Sequence, residues 1–222
     1  MRSIVDGYWR DALGWKSSTA GVSVVPGLPD YQGIYVLAIE DRACVASPIE
    51  VDVATARMRD VMNPEWWSGA LDGRVAAVLG PSVHHYLDDT RLLPLSRAVP
   101  VERSALEPLR QAVPQNDWNE GGFADEDAEY FGFFEDSELI AASNLTWWRG
   151  ALSDVGVLTR PGFRGRGVGR QVAAAAARQA ISRSGVARYR ALETNYPSRA
   201  IAERLGFAAY GANLSVRLRP ES

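Results

Sequence analysis

The stretch RPGFRGRGVGRQVAAAAARQA, residues 160–180, decides how this sequence is interpreted. It holds four glycines and five arginines and includes a run of five alanines. Glycine removes side-chain bulk and permits unusual backbone angles, whereas alanine favours a helix. The stretch therefore predicts a basic loop that opens a helix. Such a loop either cradles a phosphate group or only places positive charge at the start of the helix.

Two common phosphate-binding patterns do not fit this loop. A Walker loop needs a lysine and then a serine or threonine after its last glycine, but Arg170 and Gln171 follow Gly169. A dinucleotide-binding loop needs glycines spaced G-x-G-x-x-G, usually in the first strand–helix unit of the chain. Here Gly165, Gly167 and Gly169 are spaced G-x-G-x-G and lie late in the sequence. Both patterns are therefore disfavoured.

A third pattern, Arg-x-x-Gly-x-Gly, is met by Arg164, Gly167 and Gly169, between a predicted strand and a predicted helix. Glycines at these positions let successive backbone N–H groups converge on one anion. The start of the helix adds unpaired donors and a partial positive charge, and Arg166 and Arg170 add full charges. The pattern therefore favours a pyrophosphate-binding loop over a solvated turn.

A second motif lies downstream, where residues 195–207 read NYPSRAIAERLGF. It begins with Asn195 and Ser198 in the pattern N-x-x-[AS] and ends with Leu205, Gly206 and Phe207. Taken with the glycine loop, in this order and at this spacing, it resembles the GNAT superfamily of acyl-CoA-dependent N-acetyltransferases. The resemblance covers about residues 98–222, and residues 1–97 carry no comparable motif.

The resemblance implies an α/β fold, of the α+β type with a mixed sheet: the GNAT acyl-CoA N-acyltransferase fold with an N-terminal α/β extension domain. We expect that extension to cover residues 1–97 and the acetyltransferase domain to cover 98–222.

Residues 130–148 predict a hairpin, residues 49–62 an amphipathic helix and residues 114–130 an acidic loop. The last segment suits one long strand or two short ones. A single last strand would leave the edge of the sheet bare. Because a bare edge is normally covered, we expect residues 1–97 to pack beside that edge.

As the resemblance implies, the glycine loop binds the pyrophosphate of acetyl-CoA, which serves as cosubstrate. Asn195 would bond the pantetheine arm, although a simple helix cap is its other interpretation. A backbone N–H near Leu158 or Thr159 would bond the developing oxyanion. The implied cofactor-binding residues are Leu158, Thr159, Arg164, Gly165, Arg166, Gly167, Val168, Gly169, Arg170, Asn195 and Ser198.

Acyl transfer to an amine calls for a general base, since a lysine-like amine with a pKa of about 10.4 is mostly protonated at neutral pH. Glu193 is the leading candidate, because it lies on the predicted strand just before the second motif. Its other interpretation is an ion pair with Arg188 or Arg190. The further candidates are Asp154, on the preceding strand, and Glu120, in the acidic loop.

Ala202 departs from the family pattern, because many members carry a tyrosine there that protonates the departing thiolate. A free thiol has a pKa of about 8.5, so a thiolate can leave without a strong acid. The main contribution of the protein would then be to position the reactants and to bond the oxyanion.

Composition limits the other functions open to this chain. Its 222 residues are 46% hydrophobic and 23% charged with a net charge of −3, which fits a globular protein and disfavours non-specific nucleic-acid binding. No apolar run approaches the roughly 20 residues that span a membrane. One cysteine, Cys44, and two adjacent histidines are too few for a structural zinc site. We expect a cytoplasmic monomer or homodimer with no metal and no membrane partner.

The sequence thus predicts an acyltransferase that acts on groups other than aminoacyl groups. It would move an acetyl or another short acyl group from acetyl-CoA to a primary amine, by direct attack in a ternary complex. The acceptor would be a small molecule or a peptide. A non-catalytic acyl-CoA-binding or sensing module is the alternative, because the tyrosine is missing and the base is undecided. A dinucleotide-dependent oxidoreductase is disfavoured by the glycine spacing.

Overall fold

The structure, a computed structural model, describes residues 1–16, 19–29, 31–124, 127–148 and 152–220. Within these ranges the α-helices are α1 (Arg2–Leu13), α2 (Met58–Val61), α3 (Pro64–Ala70), α4 (Glu107–Ala112), α5 (Gln115–Glu120), α6 (Val168–Ser184) and α7 (Tyr196–Arg204). The strands are β1 (Gly21–Pro26), β2 (Gly33–Ile39), β3 (Arg42–Ser47), β4 (Val75–Leu87), β5 (Val99–Val101), β6 (Ala128–Glu135), β7 (Glu138–Trp148), β8 (Leu152–Thr159), β9 (Ala187–Leu192) and β10 (Ala208–Leu218). Short 3-10 helices cover Thr90–Leu92, Arg103–Leu106 and Pro161–Phe163.

The chain divides into two compact units, each assembled from separate parts of the sequence. The loop unit, which contains the glycine loop, comprises Met1, His85–Arg190 and Asn195–Ala208. The terminal unit comprises Arg2–His84, Ala191–Thr194 and Ala209–Ser222. The expected division into an N-terminal domain of residues 1–97 and an acetyltransferase domain of residues 98–222 stays a prediction.

Four strands of the terminal unit pair in the order β1, β3, β2, β10. β1 and β3 are parallel, whereas β2 pairs antiparallel with both β3 and β10. The β10 pairing runs from Ala212 opposite Ala38 to Arg217 opposite Gly33. β2 is buried along its whole length. Its residues Ile34, Val36 and Ala38 form an apolar cluster with Trp67 of α3. A strand from the first forty residues therefore pairs with the last strand of the chain.

The strands of the loop unit form an antiparallel array, β5, β6, β7 and β8, with β9 parallel to β8. β6 and β7 confirm the predicted hairpin. Its turn is closed by Asp136 at φ +48° and Ser137 at φ +66°, the left-handed backbone that a two-residue hairpin turn with this twist requires.

The alanine-rich helix α6 packs closely in the core of the loop unit. Its buried side includes Ala173, Ala176, Ala177 and Ala180, small residues that let a helix approach its neighbours. The helix ends at Ser184, and Gly185 follows it at φ +75°, the left-handed conformation that glycine commonly adopts just after a helix. The predicted loop–helix segment is therefore confirmed.

The helix predicted over residues 49–62 is wrong, because only its last part is helical. The N–H of Ala54 donates to Asp52 Oδ1 at 2.9 Å, and such a local side-chain bond competes with helix formation. The helix α2 starts after Arg57, whose N–H donates to Asp60 Oδ2 at 2.8 Å.

The predicted acidic loop at residues 114–130 contains a helix, α5. Its anchor is the buried Trp118, whose ring lies 5.2 Å from that of Phe123. One apolar residue in six gives no helical periodicity, so packing rather than sequence pattern stabilises this helix. Asp125 and Glu126, in the same acidic segment, lie outside the described residues. No helix in the described ranges is long and apolar enough to cross a membrane.

Candidate functional site

The glycine loop joins the end of β8 to the start of α6. Gly165 and Gly167 both have φ +80°, a backbone conformation that side chains disfavour. A Cβ added to either residue would meet no atom within 4 Å. Packing therefore does not require glycine at these positions. The positive backbone angle favours glycine there, and the space beside each residue is open.

The amides of this loop are available to an anion. The N–H of Gln171 donates to the carbonyl of Gly167 at 3.3 Å. Among the residues that the structure describes, we find no hydrogen-bond acceptor for the amides from Gly165 to Arg170. A helix start with unpaired N–H groups and a positive dipole end is a ready anion site.

Gly169 has a different role from the other two glycines of the motif. A Cβ there would lie 3.0 Å from Thr159 Oγ1, 3.3 Å from Ile201 Cδ1 and 3.4 Å from Val157 Cγ1. Gly169 therefore lets α6 approach β8 and α7 closely, which fixes the position of the loop on the sheet.

Two loop arginines contact carboxylates. Arg164 donates through Nε to the carbonyl of Thr159 at 3.1 Å and through Nη2 to Asp117 Oδ2 at 2.6 Å. Arg166 lies 4.7 Å above the ring of Phe163, and its Nη1 is 3.4 Å from Glu135 Oε2. The loop thus concentrates positive charge that is partly balanced within the protein.

Arg170 differs from Arg164 and Arg166. It is exposed, and it forms no ion pair with any residue of the described ranges. Its charge is therefore available beside the start of α6.

β8 and β9 pair only near the start of β8, well before β8 reaches the glycine loop. In the described parts of the chain, their pairing is confined to Ser153 with Ala187 and Asp154 with Arg188. Past these two pairs, we find no strand in the described ranges that pairs with the β9 side of β8. A cleft between parallel strands of this kind can admit a ligand that bonds to backbone.

The register of β8 distinguishes Thr159 from Leu158. The N–H of Arg160 donates to the carbonyl of Ile140 at 2.9 Å, and Thr159 and Leu158 lie opposite Ala141 and Ala142. Bonded and non-bonded pairs alternate in an antiparallel ladder. Leu158 therefore bonds to β7, whereas the N–H of Thr159 points away from it.

Asn195 uses both ends of its side-chain amide. Its Oδ1 accepts a hydrogen bond from the N–H of Ser198 at 3.1 Å, which caps α7. Its Nδ2 donates to Glu120 Oε1 at 2.5 Å. The cap interpretation of Asn195 is thus observed, and Glu120 lies beside the same residue.

Ser198 links this group to a buried tyrosine. Its hydroxyl lies 3.0 Å from the hydroxyl of Tyr189. Burial raises the pKa of Tyr189 to about 12; the Ser198 bond opposes this shift and the charge of Glu120 adds to it. Tyr189 therefore stays protonated at neutral pH.

Asp154 is held by arginines of β9. Arg188 donates to both carboxylate oxygens, through Nε to Oδ1 and through Nη2 to Oδ2 at 2.7 Å, and Nη2 of Arg190 lies 3.9 Å from Oδ2. Arg188 is only 2% exposed and Asp154 16%. The two arginines considered as partners of Glu193 thus contact Asp154.

Glu193 is exposed and belongs to the terminal unit. Its backbone N–H donates to the carbonyl of Pro81 at 2.9 Å. The loop unit brings together the predicted loop residues, Asn195, Ser198 and Glu120.

A buried polar contact that the sequence does not predict supports this region. Asn144 accepts a hydrogen bond from the N–H of Gly156 at 2.9 Å and donates to the carbonyl of Gly121 at 3.0 Å. A Cβ on Gly156 would collide with that carbonyl. This contact ties the end of α5 to β7 and β8. An isolated asparagine and glycine carry no sequence signal that would reveal it.

Comparison with known proteins identifies the family. A family model described as the acetyltransferase (GNAT) family matches residues 91–207. No curated protein matches the sequence. Because the family model spans more than half of the chain, the chain belongs to the GNAT acetyltransferase family. The resemblance stated from the two motifs is thereby confirmed.

The chain is also similar to solved structures of GNAT proteins. A GNAT-family protein from Novosphingobium aromaticivorans has a TM-score of 0.50 and 20% identity, covering 67% of this chain and 68% of that one. A GNAT acetyltransferase from Colwellia psychrerythraea has a TM-score of 0.48 and 16% identity, covering 74% of this chain and 63% of that one. A GCN5-related N-acetyltransferase-like protein from Streptococcus suis has a TM-score of 0.46 and 14% identity, covering 99% and 100%. The family match and the Novosphingobium aromaticivorans structure confirm the predicted fold class, a mixed α/β GNAT fold.

Proposed function

We propose that this protein transfers an acetyl or another short acyl group from CoA to a primary amine, by direct attack in a ternary complex. The observation that carries the proposal is the pair of glycines at φ +80°, Gly165 and Gly167, with open space beside them at the start of α6. This arrangement suits the pyrophosphate of CoA, because unpaired amides, a helix start and Arg170 converge there. Membership of the GNAT family supports acetyl-CoA as the donor.

In the proposed reaction, the amine nitrogen attacks the thioester carbonyl carbon and a C–N bond forms. The carbonyl oxygen becomes an oxyanion, and the N–H of Thr159 is suited to bond it because it points away from β7. The C–S bond then breaks, and the electron pair leaves with the CoA sulfur. A thiolate is a tolerable leaving group, since a free thiol has a pKa of about 8.5.

We propose Glu193 as the base that removes the proton of the attacking amine. Glu120 is already bonded to Asn195. Asp154 has both carboxylate oxygens bonded to Arg188, which leaves fewer lone pairs for a proton. Glu193 is exposed, and so it suits direct or water-mediated proton removal.

A non-catalytic acyl-CoA-binding module is the second candidate, and one observation favours it. Ala202 is fully buried in α7, so this position supplies no hydroxyl to protonate the sulfur. Transfer without such an acid depends on positioning and on the leaving ability of the thiolate.

Two measurements separate the candidates. Titration calorimetry with acetyl-CoA, CoA and NADH tests the donor, and thiol release over a panel of small amines, amino acids, antibiotics and peptides tests transfer. Acetyl-CoA binding with amine-dependent thiol release supports the transferase. Binding without release on any amine supports the sensing module, and binding of NADH alone contradicts both.

A further inference from the structure

One short helix, α5, contacts two of the residues proposed to receive the donor. Asp117 accepts from Arg164 at 2.6 Å, and Glu120 accepts from Asn195 at 2.5 Å. Residues three apart lie on the same face of a helix. Both carboxylates of α5 are therefore directed at the proposed CoA site.

The opposite side of α5 is held in the core of the loop unit. Trp118 is 5% exposed and belongs to the same apolar cluster as Phe123 and Leu158. At the end of the helix, the carbonyl of Gly121 accepts a hydrogen bond from Asn144 at 3.0 Å. One face of α5 is thus packed in the core. The carboxylates on its other face contact Arg164 of the glycine loop and Asn195 at the start of α7.

These contacts have the wrong charge to assist a pyrophosphate. A carboxylate beside Arg164 neutralises the guanidinium and repels an incoming phosphate, because like charges disfavour each other at close range. Glu135 has the same relation to Arg166, with 3.4 Å between Oε2 and Nη1. In this structure, two arginines of the loop are therefore paired with carboxylates.

We propose that α5 is an internal competitor of the acyl donor: Asp117 and Glu120 occupy Arg164 and Asn195 until CoA displaces them. This inference rests on the proposed function, since it takes the glycine loop and Asn195 as the CoA contacts. Donor binding then releases α5 from both contacts. Asp117 and Glu120 lower the affinity for the donor, but the glycine loop does not need them to bind the pyrophosphate.

The size of the effect follows from the exposure of these groups. Arg164 is 50% exposed and Asp117 36%, and exposed ion pairs stabilise by at most about 1 kcal/mol, which corresponds to about fivefold in an equilibrium constant. Competition of this strength reduces donor affinity without abolishing it.

The first test measures acetyl-CoA affinity by titration calorimetry in Asp117→Asn, Glu120→Gln and the double variant. We expect Asp117→Asn to bind acetyl-CoA about two- to fivefold more tightly than the wild type does. The double variant should bind acetyl-CoA at least as tightly as Asp117→Asn does. Glu107→Gln is the matched control. It removes one exposed carboxylate from α4 that contacts Gln111, and we expect its affinity to equal that of the wild type.

Unchanged or weaker acetyl-CoA binding in Asp117→Asn contradicts the proposal that α5 competes with the donor. Asp117 would then either orient Arg164 for the phosphate or have no influence on phosphate binding. An equal gain in Glu107→Gln overturns it too, because net charge alone would explain the change. If the wild type itself binds no acetyl-CoA, the proposed function fails and the competitor fails with it. Binding by the wild type with no gain in the variants removes the competitor only.

A second measurement needs no variant. Saturating the wild type with acetyl-CoA should speed amide hydrogen exchange in residues 115–122, because α5 loses two contacts. Slower or unchanged exchange there contradicts the proposal. Because this readout uses the wild-type chain, it holds even if a variant folds poorly.

Discussion

Three glycines of one motif serve two physical purposes. Gly165 and Gly167 adopt φ +80° where a side chain would meet nothing, so they are needed for backbone conformation and for access to the amides. Gly169 instead permits close contact, 3.0 Å from a built Cβ to Thr159 Oγ1. The loop is therefore shaped by Gly165 and Gly167 and positioned by Gly169.

Glu193 is where the proposed chemistry can be tested at one residue. Glu193→Gln should lower kcat about a hundredfold, which is typical for loss of a general base, with little change in acetyl-CoA affinity. The acidic limb of the pH–rate profile should flatten. Steady-state kinetics from pH 5 to 10 measure this, with Glu203→Gln on α7 as a control of equal charge change. Wild-type turnover across the range would transfer the base role to Glu120, Asp154 or water.

Cys44 should be inert in the folded protein. Burial raises the pKa of its thiol to about 12, whereas the thiol of an unfolded cysteine has a pKa of about 8.5. A raised folded pKa contributes stability that is present below about pH 8.5 and is lost as the pH rises toward about 12. We expect negligible alkylation by iodoacetamide at pH 8, and full alkylation in urea. Rapid labelling of the folded chain would contradict the buried position.

At the scale of elements, α5 and β8 meet at Gly156. A Cβ there would collide with the carbonyl of Gly121, and inserting a group into a packed region typically costs about 1–3 kcal/mol. Gly156→Ala should therefore lower the free energy of unfolding by about 2 kcal/mol in urea titrations.

The matched control for that substitution is Gly7→Ala. Gly7 lies in α1, and a Cβ there meets no atom within 4 Å. Alanine should stabilise this helix by about 0.5–1 kcal/mol. The same chemical change thus has opposite signs at the two sites. Equal effects at both would show that α5 does not pack on β8 as described.

The elements that the sequence could predict are those with a local signal. The glycine loop and the helix α6 follow from the glycine and alanine pattern, and the β6–β7 hairpin follows from its apolar strands and the turn at Asp136. The helix α5 could not be predicted, because a single tryptophan anchors it. The apolar pattern of residues 49–62 predicted a helix that is mostly not formed, because Asp52 accepts a hydrogen bond from the N–H of Ala54.

The candidate site was predictable to the same extent. Its two motifs identify the family, but the pairing of Asp154 with Arg188, and of Asp117 with Arg164, joins residues 34 and 47 positions apart in sequence. Such pairings depend on the folded topology, and a single sequence carries no pattern for them.

At the scale of the whole molecule, the first and last parts of the chain share one sheet ladder. β2 pairs with β10 from Ala212 opposite Ala38 to Arg217 opposite Gly33, and both Leu37 and Leu214 are fully buried. Without β2, the β10 strand would present unpaired N–H and C=O groups and apolar side chains, which favours aggregation.

We therefore expect residues 98–222, expressed alone, to be insoluble or much less stable than the full chain. Thermal unfolding and size-exclusion chromatography of the fragment and of the full chain measure this. A soluble, monomeric fragment with the melting temperature of the full chain would show that the two parts do not share a core.

The most direct test of the central claim, that the glycine loop binds the pyrophosphate of CoA, is calorimetric titration of Gly167→Val with acetyl-CoA. A β-branched residue at φ +80° is strained and fills the open space beside the amides. We expect the dissociation constant to rise at least about tenfold, or about 1.4 kcal/mol. Gly162→Val, at a neighbouring loop glycine that also has open space around a built Cβ, should bind as the wild type does. Unchanged affinity in a folded Gly167→Val protein would contradict the claim.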